Sequence, residues 1–156
     1  MNTPRHMATT EQRAVATLQF GRAWIGLAGA LALHVTDESL TDFLSVYNPA
    51  VLAIRERFPY LRLPTFTFHV WILGLLAGIL LLFVLVPVAF RGSRWLALLA
   101  MPFSVLMIGN ALGHIGSSVF MGRLMPGVYS SPVLLVAALF TLVCALRVYK
   151  NRDEET

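Results

Sequence analysis

The chain has 156 residues, of which 57% are hydrophobic and only 13% charged, and its mean hydropathy is +0.71. Soluble domains are about half apolar and about one quarter charged, so this composition excludes that class and indicates an integral membrane protein. The net charge of +4 does not point to nucleic acid, because the basic residues form no stripe and are not interleaved with exposed aromatic residues.

Four apolar segments approach the length of about 20 residues that a helix needs to cross a bilayer. They lie near residues 21–41, 69–90, 95–118 and 132–149. The sequence therefore predicts an all-α membrane protein, a bundle of four transmembrane helices over residues 21–149. Cys144 is the only cysteine, which excludes an intrachain disulfide, and it is interpreted as a small apolar residue of the last span.

The two ends of the chain predict the orientation of this bundle. Residues 1–20 are polar and mixed, which is typical of a disordered lead-in or a short interfacial helix, and residues 150–156 form a solvated tail. If the N-terminus is cytoplasmic, most of the basic residues lie on or near the inner side, as the positive-inside rule favours. Both termini are therefore expected in the cytoplasm.

The first predicted span ends in a polar turn that contains His34, Asp37 and Glu38. In a helix, His34 and Glu38 are one turn apart, and Asp37 lies beside them on the same face. A charged side chain at the bilayer centre costs about 2.5–3.5 kcal/mol on insertion scales, so such residues usually face a bundle interior, pair with one another or bind something. This turn is the first candidate for a functional site.

The loop that follows, residues 42–68, is too long for a simple connection. Asn48 and Pro49 predict the cap and first position of a short helix that ends at Pro59 and lies on the outer membrane surface. Two interpretations stay open for this loop, a lid over a site or a plug at the interface. His69 opens the second span at the outer boundary and is a candidate metal ligand.

The third span repeats the polar turn, with Asn110 and His114 one turn apart beside a face formed by Gly109, Gly113 and Gly116. Such a glycine face predicts that another helix packs very closely against it. The first and third spans run in the same direction through the membrane. Their polar turns are therefore expected at the same depth, near the extracytoplasmic face.

Two histidines with carboxylates match the nitrogen and oxygen ligands of zinc, iron or manganese sites. The predicted metal ligands are His34, Glu38 and His114, with His69 as a further candidate. The alternative is a hydrogen-bonded polar cluster without a metal, in which Glu38 binds His114 and His34 binds Asn110, so that the cluster only locks the helices together.

A family resemblance adds to this interpretation. The chain contains the pattern His34-x-x-Asp37-Glu38, then Asn110-x-x-x-His114, then Arg123-x-x-Pro126-Gly127-Val128 and Ser130-Ser131 before an aliphatic last helix. This pattern resembles the HXXEE-motif family of small bacterial integral membrane proteins, with Asp37 where the motif has glutamate. The resemblance implies a location in the bacterial inner membrane and carries over His34, Glu38, Asn110 and His114 as site residues, but it implies no reaction.

Three functional hypotheses follow from these residues. The leading one is a membrane protein with a metal-binding or acid–base site that acts on a lipid-like substrate. In that case Glu38, Asp37, Asn110 and Tyr129 are the candidate catalytic residues, with Asn110 orienting the substrate. The second is a non-catalytic membrane module whose polar cluster fixes helix packing or homo-oligomerisation. The third is a proton-coupled carrier that uses His34 and Glu38 as a relay.

Overall fold

The computed structural model describes residues 4–153, with side chains from residue 11 to residue 151. Every regular element in this part of the chain is a helix, which confirms the all-α prediction. The helices are α1 Pro4–Leu40, α2 Leu44–Arg57, α3 Phe68–Val84, α4 Val86–Phe90, α5 Arg94–Met121 and α6 Ser131–Asp153. The acidic residues at the end of the predicted tail, Glu154 and Glu155, lie outside the described residues.

Three helical stretches among the described residues are long and apolar enough to cross a membrane. They are Phe68–Phe90, which joins α3 and α4, Arg94–Met121, which is α5, and Ser131–Asn151 within α6. These stretches coincide with the second, third and fourth predicted spans. The first predicted span lies in α1, which does not reach the same hydropathy because its last turns carry His34, Asp37 and Glu38.

Helix α1 is a single helix of 37 residues, so the lead-in and the first predicted span form one continuous element. It ends in a tight turn, in which the N–H groups of Thr41 and Phe43 donate to the carbonyls of Asp37 and Glu38, each at 3.0 Å. Asp42 adopts the left-handed conformation (φ 54) that typically ends a helix. The turn brings Phe43 back over the end of α1.

Helix α2 begins earlier than the sequence predicts, and Asn48 does not cap it. The helix already starts at Leu44, directly after the turn at Asp42, so Asn48 lies inside it. Its side chain instead holds the extended segment before α3: Oδ1 accepts the N–H of Phe66 at 3.1 Å and Nδ2 donates to the carbonyl of Phe66 at 2.9 Å. Val51 is the one buried residue within α2.

The helices pack around α1 and α6. Helix α1 packs against α6, α4 and α3, and α5 packs mainly against α6. We call the core cluster near the start of α5 the apolar end of the bundle; its buried residues are Ala16, Phe20, Ala23, Trp24, Ala89, Leu96, Ala97, Ala100, Cys144, Ala145 and Val148. At this end Gly21 lies against the ring of Phe90, where an added Cβ would come within 2.4 Å of a ring carbon.

A second core cluster continues the packing toward the opposite end. Its buried members are Leu27, Ala30, Met107, Ala111, Leu134 and Ala138, drawn from α1, α5 and α6. Beyond it, the same three helices reach a layer of polar side chains that we call the site end. The core is therefore mainly apolar, with Ser104 and Thr141 as buried hydroxyl residues, and the buried histidines and carboxylate among the described residues lie together at the end where α1 stops.

Candidate metal centre

Three buried side chains converge at the site end: His34 and Glu38 from the last turns of α1, and His114 from α5. Nε2 of His114 lies 3.0 Å from Oε1 of Glu38, and Nε2 of His34 lies 3.6 Å from the same oxygen. The three residues are only 1%, 5% and 8% exposed in chain order. This geometry confirms the prediction that the polar turns of the first and third spans lie at the same level.

The Nδ1 atom of His34 is fixed by Ser130, the residue that precedes α6. Ser130 donates its hydroxyl to Oδ2 of Asp37 at 2.7 Å and its backbone N–H to the same oxygen at 2.9 Å. A hydroxyl has one hydrogen, so Ser130 Oγ, 2.9 Å from His34 Nδ1, accepts a hydrogen bond there. His34 therefore carries its proton on Nδ1 and presents the lone pair of Nε2 to the centre.

His114 is fixed in the same way by a different acceptor. Its Nδ1 atom is hydrogen-bonded to the backbone carbonyl of Pro126. A carbonyl oxygen only accepts, so Nδ1 of His114 is the donor, and Nε2 faces Oε1 of Glu38. Both imidazoles are thus held with Nε2 toward Glu38, and in the neutral imidazole that nitrogen carries the lone pair that can bind a cation.

With both imidazoles neutral, the centre is short of hydrogens and suited to a metal. Two imidazole Nε2 atoms and a carboxylate oxygen face one another within 4.8 Å, and Nε2 of His34 is buried without a hydrogen-bond partner among the described residues. Acceptors that face acceptors repel, and a cation between them removes the repulsion. Nitrogen and oxygen donors of this kind fit zinc, iron or manganese, and metal-binding histidines typically donate their other N–H to a carbonyl or carboxylate.

The connection between α5 and α6 is fitted tightly onto this centre at Gly127. Gly127 has φ +81, and an added Cβ would come within 2.9 Å of the His114 ring and 3.1 Å of Cγ of Glu38. Its carbonyl accepts the hydroxyl of Ser131 at 2.7 Å. Earlier in the connection, the N–H of Met125 donates to Oγ of Ser118 at 3.0 Å. Only glycine leaves room for the connection to lie directly on the two ligands.

The other residues that the sequence predicted for the site occupy different places. Asp37 does not face the centre but binds Ser130. His69 is exposed, with its ring against Phe68, and lies outside the group of three. Tyr129 is 65% exposed. The ligand role of His69 and the catalytic roles of Asp37 and Tyr129 stay predictions.

Asn110 and two residues of the glycine face of α5, Gly109 and Gly113, line an open pocket of about 310 Å³ that also touches His114. An added Cβ at Gly109, Gly113 or Gly116 would meet no atom within 4 Å. The prediction that another helix packs against this face is therefore wrong for the described chain, because α5 packs mainly against α6 and the glycines face open space. The expected hydrogen bond between His34 and Asn110 is also absent there, since Ser130 binds His34 and Oδ1 of Asn110 has no partner.

Sequence reasoning missed the hydrogen-bond partners of the two histidines. Ser130 and the carbonyl of Pro126 come from an irregular connection, where neither helical periodicity nor spacing shows which groups meet. The sequence signal that could have indicated these partners was the occurrence of Pro126, Gly127 and Ser130 together in the pattern that resembles the HXXEE family. Each of these three positions contacts a ligand of the centre in the fold.

Fold and site together define a class: an all-helical chain with membrane-type helices and a buried His-Glu-His group that could hold a metal ion. A family model described as a protein of unknown function with HXXEE motif matches residues 24–142. The chain therefore belongs to the HXXEE-motif family. In this member the motif reads His34-Val35-Thr36-Asp37-Glu38. No curated protein and no solved structure matches the chain.

Proposed function

We propose that this chain is a membrane protein that binds one divalent transition-metal ion through His34, Glu38 and His114. The observation that carries the proposal is the orientation of the two imidazoles. Both Nδ1 atoms are bonded to acceptors, so both Nε2 atoms face Oε1 of Glu38, where the lone pairs of neutral imidazoles would meet a cation. An ion there gives the unpartnered Nε2 of His34 a partner and neutralises a carboxylate that is otherwise buried in an apolar bundle.

Three protein ligands leave a coordination position, which is typical of catalytic and not of structural zinc sites. A metal bound there would supply Lewis acidity, polarising a carbonyl or lowering the pKa of water. The chain's own residues would hold the metal-binding side chains in place and orient the substrate. Ser130 and Asp37 fix the His34 ring, the Pro126 carbonyl fixes the His114 ring, and Asn110 orients a lipid-like substrate in the adjoining cavity. We therefore favour a membrane enzyme over a passive metal store.

For the membrane arrangement we propose four spans, with α1 from about residue 21 to Leu40 as the first. An even number of spans keeps both termini on one side, and the positive-inside rule puts that side in the cytoplasm of a bacterial inner membrane. The centre then lies near the extracytoplasmic face. Large apolar side chains on α3 that are exposed in the isolated chain would contact lipid; they include Val70, Leu73, Leu76, Leu80 and Val84.

One observation favours the alternative, a non-catalytic module without a metal. The 3.0 Å separation of His114 Nε2 and Glu38 Oε1 is also that of a hydrogen bond between an imidazolium and a carboxylate. Such a pair would lock α1 to α5 and could support oligomerisation. It leaves Nε2 of His34 unpaired, however, and that atom lies in one of the most buried residues of the chain. The metal centre accounts for all three side chains.

The test is the metal content of the purified protein, measured by mass spectrometry after expression with zinc, iron and manganese supplied. We expect wild type to hold one ion per chain, and His34→Ala and His114→Ala to hold none. His69→Ala is the matched control, because this histidine is exposed and outside the group; it should keep the ion.

Two outcomes would contradict the metal proposal. In the first, wild type carries no stoichiometric metal and takes up none from buffer containing zinc, iron or manganese salts. In the second, His34→Ala retains as much metal as the His69→Ala control. If wild type is metal-free and Glu38→Gln unfolds at the wild-type temperature, the hydrogen-bonded cluster is the better account, because the amide is nearly isosteric with the carboxylate.

A further inference from the structure

The connection after α5 carries a cation that the candidate metal centre does not use. Arg123 belongs to the pattern that resembles the HXXEE family, yet its exposed side chain lines a groove that includes none of the three candidate ligands. Its guanidinium forms no hydrogen bond or ion pair with any residue that the structure describes. The fold therefore leaves this cation available for a partner outside the described chain.

The backbone at the end of α5 fixes where this cation begins. Gly122 adopts the left-handed conformation (φ +61) that commonly ends a helix. The N–H of Arg123 then donates to the carbonyl of Ser118 at 3.2 Å. Arg123 is therefore held directly after the last turn of α5, at one end of the groove.

The groove itself is apolar apart from Arg123. It is an open groove of about 390 Å³, lined by Ile115, Ser118, Val119, Gly122, Arg123, Leu124 and Val128. Arg123 is the one charged residue among these. The hydroxyl of Ser118 is already engaged, since it donates to the carbonyl of His114 at 2.8 Å and accepts the N–H of Met125 at 3.0 Å. The groove thus combines one cation with an apolar surface.

The position of Arg123 on α5 indicates its depth in a membrane. The stretch Arg94–Met121 is long and apolar enough to cross a bilayer, and Arg123 follows it by two residues. An arginine just beyond the end of a span places its guanidinium at the level of the lipid headgroups. Ile115 lies about 9 Å deeper than Met121 along the helix axis, at 1.5 Å per residue. The groove therefore extends from headgroup level toward the hydrocarbon region.

Charge complementarity identifies the occupant that this arrangement suits. A guanidinium binds phosphate through paired, charge-assisted hydrogen bonds. A zwitterionic headgroup would add an ammonium group, for which the described lining offers no carboxylate. A headgroup with a net negative charge leaves no such group unpaired, and the apolar surface below it suits an acyl chain.

We propose that this groove binds one anionic phospholipid, with its phosphate at Arg123 and one acyl chain along Val119 and Ile115. The inference rests on the proposed membrane arrangement, because it needs α5 to be a transmembrane helix. It does not depend on the metal centre.

The test counts the lipids that the full-length protein retains, by native mass spectrometry after release from nanodiscs. The nanodiscs contain equal amounts of phosphatidylglycerol and phosphatidylcholine with the same acyl chains. We expect wild type to retain one phosphatidylglycerol with about 10-fold preference, and Arg123→Gln to lose that preference with its charge-assisted hydrogen bonds. Arg57→Gln is the matched control and should keep it, because Arg57 is exposed and lies outside the groove.

A second pair of variants tests the acyl chain. Val119→Trp should fill the groove and reduce retention of phosphatidylglycerol about fourfold for each methylene group that it displaces. Val105→Trp makes the same change at an exposed position of the same helix outside the groove, and it should have no effect. Excess glycerol phosphate, which lacks the chain, should not displace the lipid.

The inference is overturned if Arg123→Gln retains phosphatidylglycerol like Arg57→Gln, if Val119→Trp behaves like Val105→Trp, or if glycerol phosphate displaces the lipid. Wild type that retains both lipids without preference overturns the lipid site and leaves the membrane arrangement standing. Wild type that is soluble without detergent and retains no lipid overturns both. Metal content of the same samples reports separately on the metal centre.

Discussion

The two ends of the bundle join the same helices by different interactions. At the apolar end, Phe20 and Trp24 of α1 pack against small residues of α5 and α6, and the one buried polar group of Trp24, its indole N–H, donates to the carbonyl of Leu82 at 2.9 Å. At the site end, α1 and α5 meet through His34, Glu38 and His114. Packing at the apolar end depends on shape, whereas the site end depends on which atoms carry hydrogens.

This difference means that stability and the proposed metal binding are expected to change separately. Close-packed apolar contacts contribute to the free energy of unfolding through the volume they fill. The polar layer contributes little net stability when complete but costs several kcal/mol when one member is removed, because the others are left buried and unpaired. Substitutions at the two ends should therefore differ in which measurement they change, and the following predictions run from the largest expected effect to the smallest.

The largest effect is expected for Glu38→Ala, which should abolish metal binding and also lower stability by about 3–5 kcal/mol, the cost of breaking a buried ion pair. The alanine leaves His34 and His114 buried without the carboxylate that both of them face. Metal content and the unfolding temperature in detergent check both parts. A variant that keeps the wild-type unfolding temperature and its metal would show that Glu38 is not the centre of the polar layer.

Phe20→Ala at the apolar end should lower the free energy of unfolding by about 3 kcal/mol, because Phe20 is fully buried and alanine leaves a cavity. Metal content of the folded fraction should be unchanged. Val15→Ala, on an exposed face of the same helix, is the control and should have little effect on either quantity. Loss of metal at a temperature where Phe20→Ala is still folded would mean that the two ends are coupled.

Gly127→Ala should weaken metal binding about 10–100-fold, as does the loss of a group that positions a metal ligand. It should also destabilise the connection between α5 and α6. The added methyl would lie within 2.9 Å of the His114 ring, and the residue has φ +81. Gly122→Ala is an informative control, since Gly122 has φ +61 but nothing near its Cβ position. If both variants lose metal affinity to the same extent, backbone strain and not contact with His114 is the cause of the loss.

Ser130→Ala should reduce metal affinity about 10–100-fold with little loss of helix packing, because it releases Nδ1 of His34 from its acceptor. Asp37→Asn should have a smaller effect in the same direction, since the amide still accepts the N–H of Ser130 through its oxygen. Competition with a metal chelator measures both affinities. If Ser130→Ala binds metal as tightly as wild type, the tautomer of His34 is not set by this hydrogen bond.

Much of this comparison was visible in the sequence, because it depends on helical periodicity. The second, third and fourth predicted spans fall within a few residues of the apolar helical stretches, whereas α1 begins well before the first predicted span. The meeting of His34 and Glu38 with His114 followed from two parallel helices with polar turns at corresponding ends. What periodicity cannot show is what an irregular segment contacts. Ser130 and the Pro126 carbonyl were therefore not recognised as the partners of the two histidines.

Two further predictions were wrong because the sequence shows residue types but not the partners that a side chain or a helix face has in the fold. Asn48 and Pro49 have the residue types of a helix start, but the tight turn at Asp42 starts α2 earlier, and the Asn48 side chain is used by Phe66. Gly109 and Gly113 were interpreted as a packing face because small residues commonly mark helix contacts in membranes. Sequence does not distinguish a glycine that admits a neighbouring helix from one that faces open space, as these do in the described chain.

The burial of Cys144 within the apolar end makes the chain convenient for chemical labelling. It is the only cysteine, and it is 1% exposed. A thiol reagent applied to the folded protein should thus give a low background without any prior substitution. Single cysteines introduced at exposed positions of the connections, for example at Leu61 and at Tyr129, would each report which face of a sealed vesicle they occupy. Because the native thiol is buried, labelling of each introduced cysteine directly measures which side of the membrane its connection occupies.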